Sequence, residues 1–138
     1  MDRKALQKIL PHRDEMLLLD EAWREGDAAC GKYRVRGDEF FLRGHFPGNP
    51  IVPGVIQCEI LAQSACVLLS EQMTAGKLPL YTGMDKVRFR ASVRPGDVIE
   101  TRCEITRPKP PFYFARGSVS VGGRLCTSAE FSFAVMGE

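Results

Sequence analysis

IVPGVIQCEILAQSACVLL, residues 51–69, is the most apolar window of this 138-residue chain. Its length suits a membrane span, but Pro53, Gln57, Glu59 and Gln63 stand inside it, and each polar group is costly in lipid. A helix buried in a protein core fits better. Pro53 sits where a helix can start, Gly54 opens it, and nothing breaks the run until Gly76. The pattern therefore predicts a helix from Gly54 to about Met73. Val55, Ile56, Leu61, Ala62, Ala65, Leu68 and Leu69 cover nearly all of its sides, as in a helix surrounded by protein. About 18 residues of it would be roughly 27 Å long, close to the width of a small domain.

Such a helix needs a wrapper, and the rest of the chain reads as strands. Ala5, Leu6, Ile9 and Leu10 suggest a short amphipathic helix ending before Pro11. Met16 to Trp23 reads as a strand, with Ala28 to Arg36 as its partner across Glu25-Gly26-Asp27. Leu80 to Ala91 is followed by Arg94-Pro95-Gly96-Asp97, with Pro and Gly in the type II turn order. In Val98 to Thr106, Ile99, Thr101, Cys103 and Ile105 alternate with Val98, Glu100, Arg102 and Glu104. Phe112 to Val121 and Arg124 to Val135 flank Gly122-Gly123, a two-residue hairpin signal. In the last of these, Leu125, Ala129, Phe131, Phe133 and Val135 are the expected inward residues. One long central helix wrapped by a curved, mostly antiparallel sheet of about six strands satisfies both burial demands, an α+β solution.

Length and composition suit a single domain over residues 1–138, and 44% apolar residues is ordinary for a globular protein. A net charge of +2 gives no argument for nucleic acid. The N-terminal MDRKALQKIL is charged and lacks the apolar run of a signal peptide. The five cysteines, Cys30, Cys58, Cys66, Cys103 and Cys126, form no CxxC and fit neither a disulfide framework nor a zinc site. They read as free thiols packed as small hydrophobes in a reducing cytoplasm. No metal-ligand spacing and no GxxxxGK[ST], GxGxxG or GxSxG motif is present.

Glu59 is the most informative residue. An ionised carboxylate in an apolar helix is expensive unless paired, and burial favours its neutral, proton-donating form. Gln63, four residues on, shares its face and is placed to orient it. A groove or dimer edge would also retain such an acid, with no chemistry attached. His45 lies in GHFPGNPIVPG, a loop stiffened by Pro47, Pro50 and Pro53, which holds an imidazole in place as a general base requires. A satisfied structural histidine is the alternative, but Glu59, fourteen residues later, favours function. Gly54 offers free N–H groups at a helix start, a site for a developing oxyanion; by itself it is an ordinary glycine after proline. His12 reads as structural, with no acid–base partner identifiable in the sequence.

GHFPGNPIVPGVIQCEILAQ (residues 44–63) resembles the active-site stretch of the 3-hydroxyacyl-[acyl-carrier-protein] dehydratases of the FabZ type. LPHRDEMLLLDEA, YTGMDKVRFRASVRPGD and Ala129-Glu130-Phe131 resemble further family segments, so the likeness spans nearly the whole chain. The family's Tyr-Pro-Phe after His-Arg is replaced here by Asp14-Glu15-Met16. The related FabA-type branch has Asp where this chain has Glu59, and a longer chain. The resemblance implies a hotdog fold and dehydration of a (3R)-3-hydroxyacyl thioester to the trans-2-enoyl thioester in fatty acid synthesis. It implies catalytic roles for His45 as base and for Glu59 as acid, acting from the other subunit of a homodimer. Gly54 N–H would meet the thioester carbonyl, and Gln63 would support the acid. Dimers of the family often assemble into hexamers, trimers of dimers.

The implied partner is acyl carrier protein, whose phosphopantetheine arm bears the substrate. No metal or redox cofactor, nucleic acid or membrane insertion is implied. An acyl chain needs an apolar tunnel, for which Val55 and the rest of the apolar helix are candidate lining, and Phe40, Phe41, Phe46 and Phe89 candidate walls. Lys86, Arg88, Arg90 and Arg94, with Arg102, Arg107 and Lys109, are candidate contacts for an acidic carrier. Two other functions remain in view: a hotdog thioesterase, and a non-catalytic acyl-carrier or lipid-binding module.

Overall fold

The computed structural model describes residues 1–74 and 76–137. Its sheet has six strands: β1 (Glu21–Glu25), β2 (Ala28–Arg34), β3 (Lys77–Phe89), β4 (Val98–Lys109), β5 (Phe112–Val121) and β6 (Arg124–Gly137). They run in the order β1-β2-β4-β5-β6-β3, and every neighbouring pair is antiparallel. A short helix, α1 (Arg3–Leu6), precedes them, and the central helix, α2 (Gly54–Ala65), lies in the curve of the sheet. Ile60, Leu61 and Ala65 of α2 join one core with Ile99 and Cys103 of β4, Ala115 of β5, and Phe131 and Phe133 of β6. All five cysteines are free and buried, as their spacing suggested.

The α-helix is shorter than the pattern predicts. It holds 12 residues, about 18 Å, and then tightens into a 3-10 turn over Cys66–Leu69. The tighter winding brings Cys66, Val67 and Leu69 all into the core.

The N-terminal strand also differs. Met16 closes a 3-10 turn (Asp14–Met16), and the ladder starts only at Glu21. Leu17, Leu18 and Leu19 are all buried, so this is an enclosed apolar segment and not an alternating strand. Side chains supply the hydrogen bonds a neighbouring strand would have given. Gln63 Oε1 accepts from Leu18 N–H at 2.9 Å, and Gln63 Nε2 donates to the Met16 carbonyl at 2.8 Å. The Arg3 guanidinium donates to the Leu17 and Leu19 carbonyls at 2.9 and 3.2 Å.

Leu125 is a further correction. It is exposed, while Cys126 and Thr127 are buried. A register shift opposite Val119 and Ser120 inserts one extra residue into β6, which turns Leu125 outward. Beyond it, Ala129, Phe131, Phe133 and Val135 point inward as expected. Gly122 and Gly123 both have positive φ, +56° and +80°, which a two-residue hairpin of this hand requires.

Helix and sheet approach closely at Gly31. A Cβ there would lie 2.7–2.8 Å from side-chain atoms of Thr101, Leu19 and Ser64. The Ser64 and Thr101 hydroxyls are 2.6 Å apart, and Ser64 also donates to the Ile60 carbonyl at 3.0 Å. The polar residues of α2 are thus tied into the wrapper, and Gln57 follows the same rule: its Oε1 accepts from Thr127 Oγ1 and its Nε2 donates to the Val52 carbonyl.

Candidate active site

His45 stands in the loop before α2. Its Nδ1 lies 2.9 Å from the Ile51 carbonyl. A carbonyl only accepts, so Nδ1 carries a proton, and in the neutral ring the lone pair then belongs to Nε2. The loop is closed by backbone bonds: Ile51 N–H to the His45 carbonyl at 2.8 Å, and a reciprocal pair between Phe46 and Asn49. The ring of Phe46 stacks on His45 with centroids 4.2 Å apart, while more than half of Phe46 remains exposed.

α2 begins nine residues further on, with Pro53 as its N-cap and no side chain capping it. Among the described residues, the N–H groups of Gly54 and Val55 have no backbone acceptor. Gly54 and Val55 line the same cleft of about 530 Å³ as His45, together with Phe89, Arg90 and Ala91. A lone-pair nitrogen and two unpaired N–H groups at the positive end of a helix thus share one opening. Gly54 is required by its surroundings: a Cβ there would fall 2.5 Å from the Phe89 ring.

Glu59 does not share that cleft. It lines a separate cavity of about 20 Å³ with His12, Ala62, Gln63, Cys66, Tyr81 and Phe133. Burial pushes its carboxyl above the usual carboxylate range, and the Gln63 amide offsets part of that rise. Gln63 was expected to orient the acid, and its amide does bond toward the Glu59 carboxyl; its two ends also hold the backbone of Met16 and Leu18, so it anchors the N-terminal segment as well. The Tyr81 hydroxyl donates to the Cys58 carbonyl at 2.6 Å, which pins β3 to the helix beside Glu59.

One chain therefore keeps His45 and Gly54 in one opening and Glu59 in another. The open stripe of α2 runs through Val55, Glu59 and Ala62, with Val55 64% exposed. His12, which the sequence suggested was purely structural, borders the same cavity as Glu59. No spacing rule links residues 12 and 59; only the path of the N-terminal segment under the helix joins them. Among the aromatic candidates, Phe41 is buried in the core, while Phe40, Phe46 and Phe89 stay exposed. Of the basic candidates, Lys86 pairs with Glu130 at 3.3 Å, Arg102 with Glu25 at 2.7 Å, and Arg94 donates to Asn49 Oδ1 at 2.6 Å. No helix among the described residues is long and apolar enough to cross a membrane.

One helix held in a six-stranded antiparallel wrapper, with a histidine loop at the helix start and an acid on its open stripe, defines a hotdog-fold protein. Solved structures agree on the fold. The dehydratase heterocomplex ApeI:P from Xenorhabdus doucetiae superposes with a TM-score of 0.83 at 20% identity, over 96% of this chain and 91% of that one. A mutant of the fluoroacetyl-CoA-specific thioesterase FlK gives a TM-score of 0.69 at 16% identity, over 86% and 91%. Fold alone thus spans dehydratases and thioesterases.

Sequence decides between them. A family model described as ApeI-like, ApeI dehydratase, matches residues 21–128. The 3-hydroxyacyl-[acyl-carrier-protein] dehydratase FabZ of Moorella thermoacetica is 44% identical over 138 aligned positions, 98% of this chain and 96% of the relative. The chain belongs to the hotdog dehydratase family, on the FabZ branch.

Proposed function

We propose that this protein removes water from 3-hydroxyacyl thioesters borne on acyl carrier protein, in fatty acid synthesis, giving the trans-2-enoyl thioester. It is a hydro-lyase of the FabZ type. The observation that carries the assignment of the base is the placement of His45: Nδ1 is held on the Ile51 carbonyl, which leaves Nε2 free of that bond, and the residue lines a cleft together with Gly54 and Val55, whose N–H groups are unpaired.

In the proposed mechanism, the substrate's thioester oxygen accepts from Gly54 N–H. His45 Nε2 takes a C2 proton, and the electron pair moves toward the thioester oxygen, where the helix N-terminus stabilises it. As that pair returns to form the C2–C3 double bond, the C3–O bond breaks and Glu59 delivers its proton to the departing hydroxyl. Water leaves, His45 ends protonated and Glu59 ionised, and solvent resets both. A carboxyl kept neutral by burial suits the donor role.

Because His45 and Glu59 of one chain line different cavities, the reading pairs His45 with Glu59 of a second copy. β3 supports a homodimer. It is an edge strand of 13 residues carrying exposed Leu80, Met84 and Phe89, an edge that proteins cover. Trimers of such dimers, acyl carrier protein as donor of the substrate and a cytoplasmic location complete the proposal. Phe46, Phe89 and Val55 are the exposed apolar surface offered to the acyl chain.

The test is hydration of a crotonyl thioester followed by loss of absorbance. His45→Ala and Glu59→Gln, each folded by circular dichroism, are each expected to lose at least about a hundredfold in kcat. Full activity in either variant removes that residue from the mechanism. Release of free thiol from acyl thioesters, with no hydration, would instead make the protein a thioesterase.

A further inference from the structure

His12 follows Pro11 in the segment that leads under α2, and its ring reaches the wall of the Glu59 cavity. Its Nδ1 is sealed from solvent and has no hydrogen-bond partner, the one side-chain nitrogen or oxygen in that state among the described residues. A buried polar atom without a partner costs free energy that native proteins seldom concede.

The other polar groups of this cavity are engaged. Gln63 holds Leu18 and Met16, and the Tyr81 hydroxyl donates to Cys58. Burial pushes the Cys66 thiol and the Tyr81 hydroxyl upward, so both stay protonated and neutral through the working pH range. Ala62, Pro79 and Phe133 make up the rest of the lining and carry no polar side-chain group. The carboxyl of Glu59 is then the group left to meet Nδ1. No direct bond joins them, and the cavity of about 20 Å³ has room for one water.

We propose that His12 is a positioning residue for Glu59, linked to it through a single water held between Nδ1 and the carboxyl. The proton order follows from chemistry. Burial and the nearby Arg13 push the His12 imidazole toward its neutral form, and burial pushes Glu59 toward its protonated form. The Glu59 carboxyl donates to the water, and the water donates to Nδ1, which accepts with its lone pair. The chain of bonds stabilises the protonated acid and fixes the direction of its O–H. His12 does not touch the substrate; it keeps the acid loaded and aimed. This rests on Glu59 being the proton donor, but the His12–Glu59 link has its own readout.

The experiment is an infrared titration of the protonated-carboxyl band in the full-length protein. The band is assigned to Glu59 by its loss in Glu59→Gln. In His12→Leu, the midpoint of that band is expected to fall by about one pH unit, and kcat to fall roughly tenfold with KM within about twofold. His12→Asn places an acceptor where Nδ1 sits and is expected to keep both near wild type. His12→Gln places its polar end near the Nε2 position and is expected to behave as Leu. An unmoved midpoint in folded His12→Leu overturns the proposal. If His12→Leu does not fold, the Asn and Gln variants decide it, and equal midpoints in those two overturn it. Retained kcat in Glu59→Gln would sink the role of Glu59 as acid, while the titration would still report whether His12 holds it.

Discussion

The proposed site has halves on two chains, and that can be tested without seeing the interface. His45 and Gly54 open into one cleft, and Glu59 into another on the same chain. If each working site takes His45 from one copy and Glu59 from its partner, two dead variants can rescue each other. In a mixed dimer of His45→Ala and Glu59→Gln, one site has lost both groups and the other has regained both. Random pairing of equal amounts makes half the dimers mixed, and half the sites in those are intact. Activity should therefore return to about one quarter of wild type, from a hundredth or less for each variant alone.

If base and acid instead came from the same chain, every chain in the mixture would lack one, and activity would stay at the floor. The two variants are co-expressed with different tags and assayed for hydration of a crotonyl thioester, first as the unselected mixture, where about one quarter is expected, and then after purification through both tags, which leaves only mixed dimers and should raise the recovery to about one half. A mixture that stays at the level of the separate variants, with both tags present in the oligomer, would refute the two-chain site.

Three further outcomes are expected. Gly54→Ala should destabilise the fold by about 1–3 kcal/mol in urea unfolding, because its Cβ meets the Phe89 ring at 2.5 Å, and adding Phe89→Ala should restore much of that loss. Gln57→Leu leaves the buried Thr127 hydroxyl without its acceptor and should cost about 1–3 kcal/mol, whereas Gln57→Leu with Thr127→Val should cost clearly less; equal losses would contradict that pairing. The Glu59 carboxyl titrates above its ordinary 4.5 in the folded chain, so the folded state binds the proton more tightly than the unfolded one. Its effect on stability is fully favourable below about pH 4.5 and is lost as pH rises through the folded value. Glu59→Gln should therefore gain stability over wild type at pH 8 and lose that advantage at pH 4.5, as read by urea midpoints at both; a pH-independent difference would contradict the buried-acid argument.

Much of this was open to reading in the sequence because local rules govern it. The apolar run after Pro53 had to be a buried helix, and Gly122-Gly123 had to be a hairpin. Alternation in β4 located its inward face, with Ile99, Thr101 and Cys103 buried. The long motif around His45 and Glu59 also carried the family. Three elements resisted for physical reasons. Leu17, Leu18 and Leu19 gave the apolar signal of a strand, but Arg3 and Gln63 meet their backbone from far along the chain. Leu125 fell out of phase because a bulge in β6 depends on the register with β5. The helix tightened at Cys66, where packing and not propensity sets the winding.

The site divides along the same line. Sequence determined which groups are present: a histidine in a proline-braced loop, a glycine at a helix start and an acid four residues before Gln63. Those are matters of residue type and short spacing, which the chain carries in itself. Only the tertiary structure decided the tautomer of His45, through the Ile51 carbonyl, and the separation of His45 from Glu59 into two openings. It alone brought His12 to the wall beside Glu59. Contacts between residues 12 and 59 arise from the path of the chain in space, and no periodicity along the chain encodes that path.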